Sequence, residues 1–370
     1  MTERLRVLLV TGSLPPMRCG VGDYTAGLAR ALAATNAMDV AVLTSQLAGR
    51  NDAVTAPGFE VLEPVANWRL SSLKPALDAI RAWRPDVVHI QHPSQGYDGP
   101  LALALGLAAR WRLGLPLVLT LHEPVGVNAE VVLMAALIRS AHEVIVVRPN
   151  FRELVNGKVM WTIAGKTLRL IPNATTLPRM VPTADRRRAL RERFGAGSRS
   201  LVAYFGFLYP NRGVHQLFEI ADPARHYLAI VGGKLDEAAV YHDEVAALAA
   251  RERWRDSSTL TGFLPEEEAA EVLACADAVV LPFLLGGGSW NTSLHGAMLQ
   301  GTFVVTTSRQ ASGYDAAQNV YYARPSDVIE MRQALARHMG TRQATPNVPT
   351  WDKVAAEHYD SYRKARGAGR

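Results

Sequence analysis

This sequence predicts an α/β protein of two domains, each a parallel sheet with helices on both faces, and three observations carry that prediction. Short apolar, β-branched runs alternate with segments of helical periodicity along nearly the whole chain. The alternation breaks once, near Leu177, where a polar, arginine-rich stretch intervenes before it resumes. At 370 residues the chain is long enough to build two separate cores.

The first domain, 1–177, is read from strands at 5–10, 40–43, 87–90, 117–121 and 144–147, with helices at 23–34, 71–83, 100–111 and 129–140 between them. Such alternation makes the strands parallel, because each crossover helix returns the chain to the same end of the sheet. The second domain, 178–345, takes its strands from 201–205, 227–231, 258–260, 278–281 and 302–306. Residues 346–370 form a proline-flanked linker and a last helix, 351–363, expected to pack back on the first domain. Ligands of these sheets sit at the carboxyl ends of the strands, so the loops there are where chemistry is sought.

Composition narrows the class. A hydrophobic content of 48% without low-complexity tracts describes a globular chain. No segment has the uninterrupted apolar length of a membrane span, and the first strand leaves no room for a signal peptide, so a cytoplasmic protein is expected. Cys19 and Cys275 are in no metal-ligand spacing. The net charge of +6 suits anionic small molecules or contact with an anionic membrane surface, and lacks the concentrated basic stripe of a nucleic-acid binder.

Residues 278–307 read as a buried strand, a three-glycine loop, a short helix and a second buried strand. Asn291, Thr292 and Ser293 can cap the helix, Leu294, Ala297 and Met298 share its apolar face, and Gly301 stops it. A glycine loop feeding a helix start offers N–H groups to a phosphate; the alternative is an ordinary strand-to-helix turn. The loop after the first strand carries Gly20 and Gly22, but Thr25 replaces the third glycine of a dinucleotide fingerprint, and Thr44 and Ser45 stand where its acidic residue would. Its glycines can admit a phosphate or sugar, or merely shape a turn. His89 and His92 point to opposite faces of one strand, which disfavours a metal site. His122 follows a buried strand into the ligand crevice, as a functional or a structural histidine. Arg212, expected at a helix start, can clamp a diphosphate or cap a loop. No Asp-x-Asp pair for a diphosphate-bound cation occurs.

In order and spacing, these features resemble the retaining nucleotide-sugar glycosyltransferases of family 4. The likeness runs through Gly12-Ser-Leu-Pro-Pro, Cys19-Gly-Val-Gly-Asp-Tyr, Pro85-Asp-Val-Val-His, Thr120-Leu-His-Glu, Ile171-Pro-Asn, Gly206 to Gly213, Val231-Gly-Gly, Gly262-Phe-Leu-Pro-Glu-Glu, Ala276-Asp-Ala-Val-Val-Leu-Pro and Gly301-Thr-Phe-Val-Val-Thr-Thr. It implies the GT-B fold, two Rossmann-like domains whose parallel sheets face a central cleft, with the acceptor on the first domain and the donor on the second.

The resemblance also implies site residues. Arg212 matches the family's diphosphate-holding lysine, and Phe207 replaces its neighbouring arginine. His122 matches the histidine that touches the transferring sugar. Gly20, Gly22 and Gly206, with Gly288, Ser289, Trp290, Asn291, Thr292 and Ser293, would line the donor. The family's two motif glutamates fall at Gly288 and Gly296, so both carboxylates are absent. The function implied is metal-independent, retaining transfer of a sugar from a nucleoside diphosphate to a carbohydrate, lipid-linked or small-molecule acceptor, with no cofactor beyond the donor. The alternative is a binding or scaffolding protein that kept the fold and lost turnover.

Overall fold

The computed structural model describes residues 4–46, 58–127, 130–288 and 290–368. They divide into two units, one formed by the chain up to Ala174 together with Thr350 onward, the other by Thr175–Pro349. Leu177 packs into the core of the second unit, and the division falls just before it.

Among the described residues the first unit is built on β1 (Leu5–Val10), β2 (Met38–Ser45), β3 (Glu60–Val65), β4 (Val87–His92), β5 (Leu117–Leu121), β6 (Glu143–Val146) and β7 (Leu168–Leu170). Their order is β3-β2-β1-β4-β5-β6-β7, every pair parallel. The helices α1 (Gly20–Ala34), α2 (Leu73–Trp83), α3 (Leu101–Arg112), α4 (Val131–Ser140) and the single turn α5 (Phe151–Leu154) connect them. Central strands such as β5 are buried along their whole length, which is why they read as continuous apolar runs. Strands β3 and β7 escape that reading. β3 is a half-exposed edge strand carrying Glu60, Glu63 and Pro64, and β7 is only three residues long.

The second unit contains α6 (Ala184–Phe194), β8 (Ser200–Phe205), α7 (Leu217–Ile220), β9 (His226–Val231), α8 (Ala239–Ala249), β10 (Ser258–Gly262), α9 (Glu266–Cys275), β11 (Ala278–Leu281), α10 (Thr292–Leu299), β12 (Val304–Thr307), β13 (Gly313–Asp315), β14 (Val320–Ala323) and α11 (Val328–His338). The sheet order is β10-β9-β8-β11-β12-β14-β13, parallel except for the β13–β14 hairpin at one edge. In each sheet the first strand of its unit lies mid-sheet and the order reverses beside it, at β1/β4 and at β8/β11. Loops leaving those strand ends diverge and open a crevice.

The last helix, α12 (Trp351–Ala368), belongs to the first unit. It lies against α1 and crosses β4, β5 and β6, burying Val354, Ala355, His358 and Tyr362. Gly27 of α1 makes the approach close enough that an added Cβ would fall on the Trp351 ring.

Candidate active site

In the first unit, two loops meet beyond the switch point. Gly12 follows β1 and its N–H donates to Ser94 Oγ at 3.1 Å; the hydroxyls of Ser13 and Ser94 are 2.7 Å apart. An added Cβ on Gly22 would stand 3.0 Å from the Ser13 carbonyl oxygen, so this glycine is needed for the loop to fold back over α1. Gly20, the first residue of α1, faces open space. Cys19 precedes it with extended backbone and makes no side-chain cap, so capping does not occupy the first N–H groups of α1 with that side chain.

His122 leaves the end of β5, its N–H continuing the ladder to the His92 carbonyl at 2.8 Å. Its side chain is 7% exposed and meets the Tyr24 ring edge-on, centroids 4.9 Å apart. Burial, and then the charges of His92, His358 and Arg148, push its pKa down to about 3, so the imidazole is neutral. Nε2 lies 2.8 Å from Gln91 Oε1, which can only accept, so Nε2 carries the proton and Nδ1 keeps a lone pair. Behind it, His89 bridges Thr120 Oγ1 and Tyr362 of α12, both at 2.8 Å. His358 donates from Nδ1 to the Val354 carbonyl and accepts from Tyr24 Oη at 3.3 Å. The sequence does not single out Gln91, His358 or Tyr362, and marks Tyr24 only as the end of the Cys19-Gly-Val-Gly-Asp-Tyr motif. Gln91 shows a trace in sequence, since it is the polar residue between two histidines at a strand end aimed at the crevice.

In the second unit the loops after β8 and β11 meet the start of α10, and the β9 loop packs on the β8 loop at Gly206 and Leu208. Gly206 has φ +143°, and an added Cβ would stand 2.9 Å from Ser293 Oγ. The β8 loop therefore touches the α10 N-terminus only because this residue is glycine. Asn291 caps α10, its Oδ1 accepting from the N–H groups of Ser293 at 3.0 Å and Leu294 at 3.4 Å, while its own N–H donates to the Gly288 carbonyl at 2.9 Å. Three of the four N–H groups from Asn291 to Leu294 are thus engaged within the loop. A phosphate arriving here would find the Thr292 N–H uncommitted, and would gain those of Ser293 and Leu294 by displacing the Asn291 side chain.

Arg212 is half-buried and closes a 3₁₀ turn, Pro210–Arg212, with its guanidinium carbon 5.1 Å from the centroid of Phe283. The helix expected after Arg212 is shorter than the sequence suggested: a second 3₁₀ turn runs into α7, which ends at Ile220 because Pro223 constrains what precedes it. Gly213 is forced, since an added Cβ would collide with the Pro282 carbonyl oxygen. The β8 and β11 loops are further joined by the Leu284 N–H donating to the Asn211 carbonyl at 3.0 Å. Phe207 turns into an aromatic group with Tyr209 and Phe263, centroids 6.3 and 6.0 Å away.

The glycine loop is packed. The Phe283 ring covers Gly287, and the Trp290 ring occupies the place a Cβ on Gly288 would take. Within α10, a Cβ on Gly296 would stand 2.9 Å from Leu177 Cδ1 and 3.3 Å from Thr175 Oγ1, both buried. Each glycine at a glutamate position of the family thus has a specific neighbour filling the space. Ser289 lies outside the described residues. No group of three or more His, Cys, Asp and Glu side chains gathers as a metal site would need among the described residues, and no helix there is long and apolar enough to cross a membrane.

Comparison with known proteins gives a consistent result. Residues 19–174 match the family model described as glycosyl transferase 4-like domain, and residues 199–340 that of glycosyl transferases group 1. A GDP-mannose-dependent α-(1-6)-phosphatidylinositol monomannoside mannosyltransferase of Mycolicibacterium smegmatis is 25% identical, over 98% of this chain and 96% of its own. Among solved structures, a sucrose-phosphate synthase from Thermosynechococcus elongatus superposes with a TM-score of 0.76 at 19% identity, covering 99% of this chain and 100% of that one. HepE of Anabaena in complex with UDP gives 0.67 at 16% identity, covering 98% of each chain. The two Rossmann-like parallel-sheet domains are those of the GT-B fold.

Proposed function

From the premise that this chain is a hexosyltransferase of the glycosyl transferase 4-like and group 1 type, we propose that it moves a sugar from a nucleoside diphosphate to a carbohydrate, lipid-linked or small-molecule acceptor, with retention and without a metal ion. The second unit holds the donor and the first the acceptor. The Mycolicibacterium relative, named for GDP-mannose and a lipid acceptor, and the UDP-bound HepE support a nucleotide-sugar donor. We place the activity in the cytoplasm.

The observation that carries the reading is Arg212, held at the junction of the β8 and β11 loops, the first of which meets the start of α10 at Gly206. Its fixed cation offsets the charge that develops on a departing diphosphate, and N–H groups at the helix start add to it. The acceptor hydroxyl then attacks from the face the diphosphate leaves. Neutral His122, with Nδ1 free to accept a hydrogen bond, holds a sugar hydroxyl rather than shuttling a proton. One observation favours a second reading, loss of turnover with retention of the fold: Trp290 and Leu177 fill the spaces beside Gly288 and Gly296.

The test is a mass-spectrometric screen of nucleotide-sugars for binding and slow hydrolysis, followed by Arg212→Ala. The variant is expected to lose on the order of 2 to 4 kcal/mol of transition-state stabilisation with its fold intact. Near-normal turnover would remove Arg212 from the diphosphate site, and failure of every nucleotide to bind would favour the second reading.

A further inference from the structure

We propose that the outer face of α4, with the tryptophans on either side of it, docks the first unit on an anionic phospholipid bilayer. Trp111, at the end of α3, is 68% exposed, and its Nε1–H donates to Ser140 Oγ at 3.0 Å, which holds the ring beside the end of α4. On the other flank Trp161 is 44% exposed, with the Arg139 guanidinium 5.5 Å from its ring centroid. Val132, two helical turns before Arg139 on the same stripe, is 68% exposed. Exposed apolar side chains scattered singly need no explanation; here they flank a single helix.

Charge decides what the face meets. Arg110 lies 4.8 Å over the Trp111 ring and Arg112 is exposed beside it. Arg110, Arg112 and Arg139 make no ion pair among the described residues. Two copies of this chain meeting through the face would bring these cations together, whereas lipid phosphates would neutralise them. Tryptophan suits the same boundary, its ring at the level of the headgroups and its N–H still hydrogen-bonded. Val127, between β5 and α4, is also 61% exposed. The inference stands apart from the reading of the donor site.

The experiment is sedimentation of the full chain with vesicles of phosphatidylcholine, alone or with about 30% phosphatidylglycerol. The wild type is expected to bind the anionic vesicles and to leave them as salt rises from about 0.05 to 0.5 M. Trp111→Ala/Trp161→Ala should lower partitioning at least about tenfold, and Arg110→Glu/Arg112→Glu should abolish the preference for anionic lipid. Both variants change exposed side chains and should keep the wild-type melting curve and nucleotide affinity. Absence of wild-type binding, or equal partitioning of the tryptophan variant, overturns the proposal. A wild-type dimer that Trp111→Ala/Trp161→Ala converts to monomer would assign the face to a second copy instead.

Discussion

Lowering the pH from 7 to 5 is expected to destabilise the first unit by about 4 kcal/mol through buried His122 and His358, with buried His89 adding in the same direction. Burial holds His122 down to about 3 and His358 to about 4, and holds His89 well below the ordinary histidine value. In the unfolded chain each regains a value near 6.5, so below that pH the unfolded state binds more protons than the folded one. The stabilisation is therefore complete above about pH 6.5 and is lost as pH falls towards the folded values. His122 and His358 each approach a slope of about 1.4 kcal/mol per pH unit, or about 2 kcal/mol integrated from pH 7 to 5. These two alone approach the lower end of a domain's whole stability, about 5–15 kcal/mol. Because the two units need not unfold together, the assay is amide hydrogen exchange on β4 and β5 compared with β8 and β11. Protection should fall steeply in the first pair and less in the second. A fall under about 1 kcal/mol at β4 and β5, or imidazole carbon resonances of these histidines titrating near 6.5 in the folded chain, would refute the reasoning.

Further outcomes follow from other parts of the molecule. With glycine at 296 and Leu177 beside it, the carboxylate the family places there is missing, so dUDP and dTDP should bind about as well as UDP in calorimetric titration; a preference for UDP over dUDP beyond about tenfold, or roughly 1.4 kcal/mol, would show the hydroxyl is still recognised. Turnover should survive EDTA and fall in His122→Ala, and activity abolished by the chelator and restored by Mg²⁺ or Mn²⁺ would contradict the metal-free reading. Gly27→Val should push Trp351 aside and cost about 1 to 3 kcal/mol, seen as a lower melting temperature and faster proteolysis of α12; an unchanged melt would mean the contact yields easily.

How legible each part was in sequence depends on how local its cause is. Strands β1, β5 and β11 were read to their ends, because a parallel strand buried on both faces is an unbroken apolar run. The hairpin of β13 and β14 was not, since its strands are three and four residues long, mostly part-exposed, and joined to the parallel sheet only through β12. The cap by Asn291 and the stop at Gly301, with φ +68°, were visible because both act within a few residues. The neighbours of the two unusual glycines were not. Trp290 lies only two positions from Gly288, yet nothing in sequence says its ring folds back, and Leu177 reaches Gly296 from far along the chain. The chain of Gln91, His89, His358 and Tyr362 behind His122 likewise joins strands to a helix more than two hundred residues later, and no local pattern encodes it.

That joining fixes an order of events during synthesis. The first unit's sheet emerges early, but His89 cannot reach Tyr362 nor Tyr24 reach His358 until α12 has been translated. Translation therefore releases every strand of the second unit while one side of the first still lacks its cover. A ribosome stalled once the second unit has emerged through Pro349 and before α12 has would display a finished second unit attached to a first whose β4, β5 and β6 still expose the surface α12 takes, a form for chaperones to hold and for proteases to recognise.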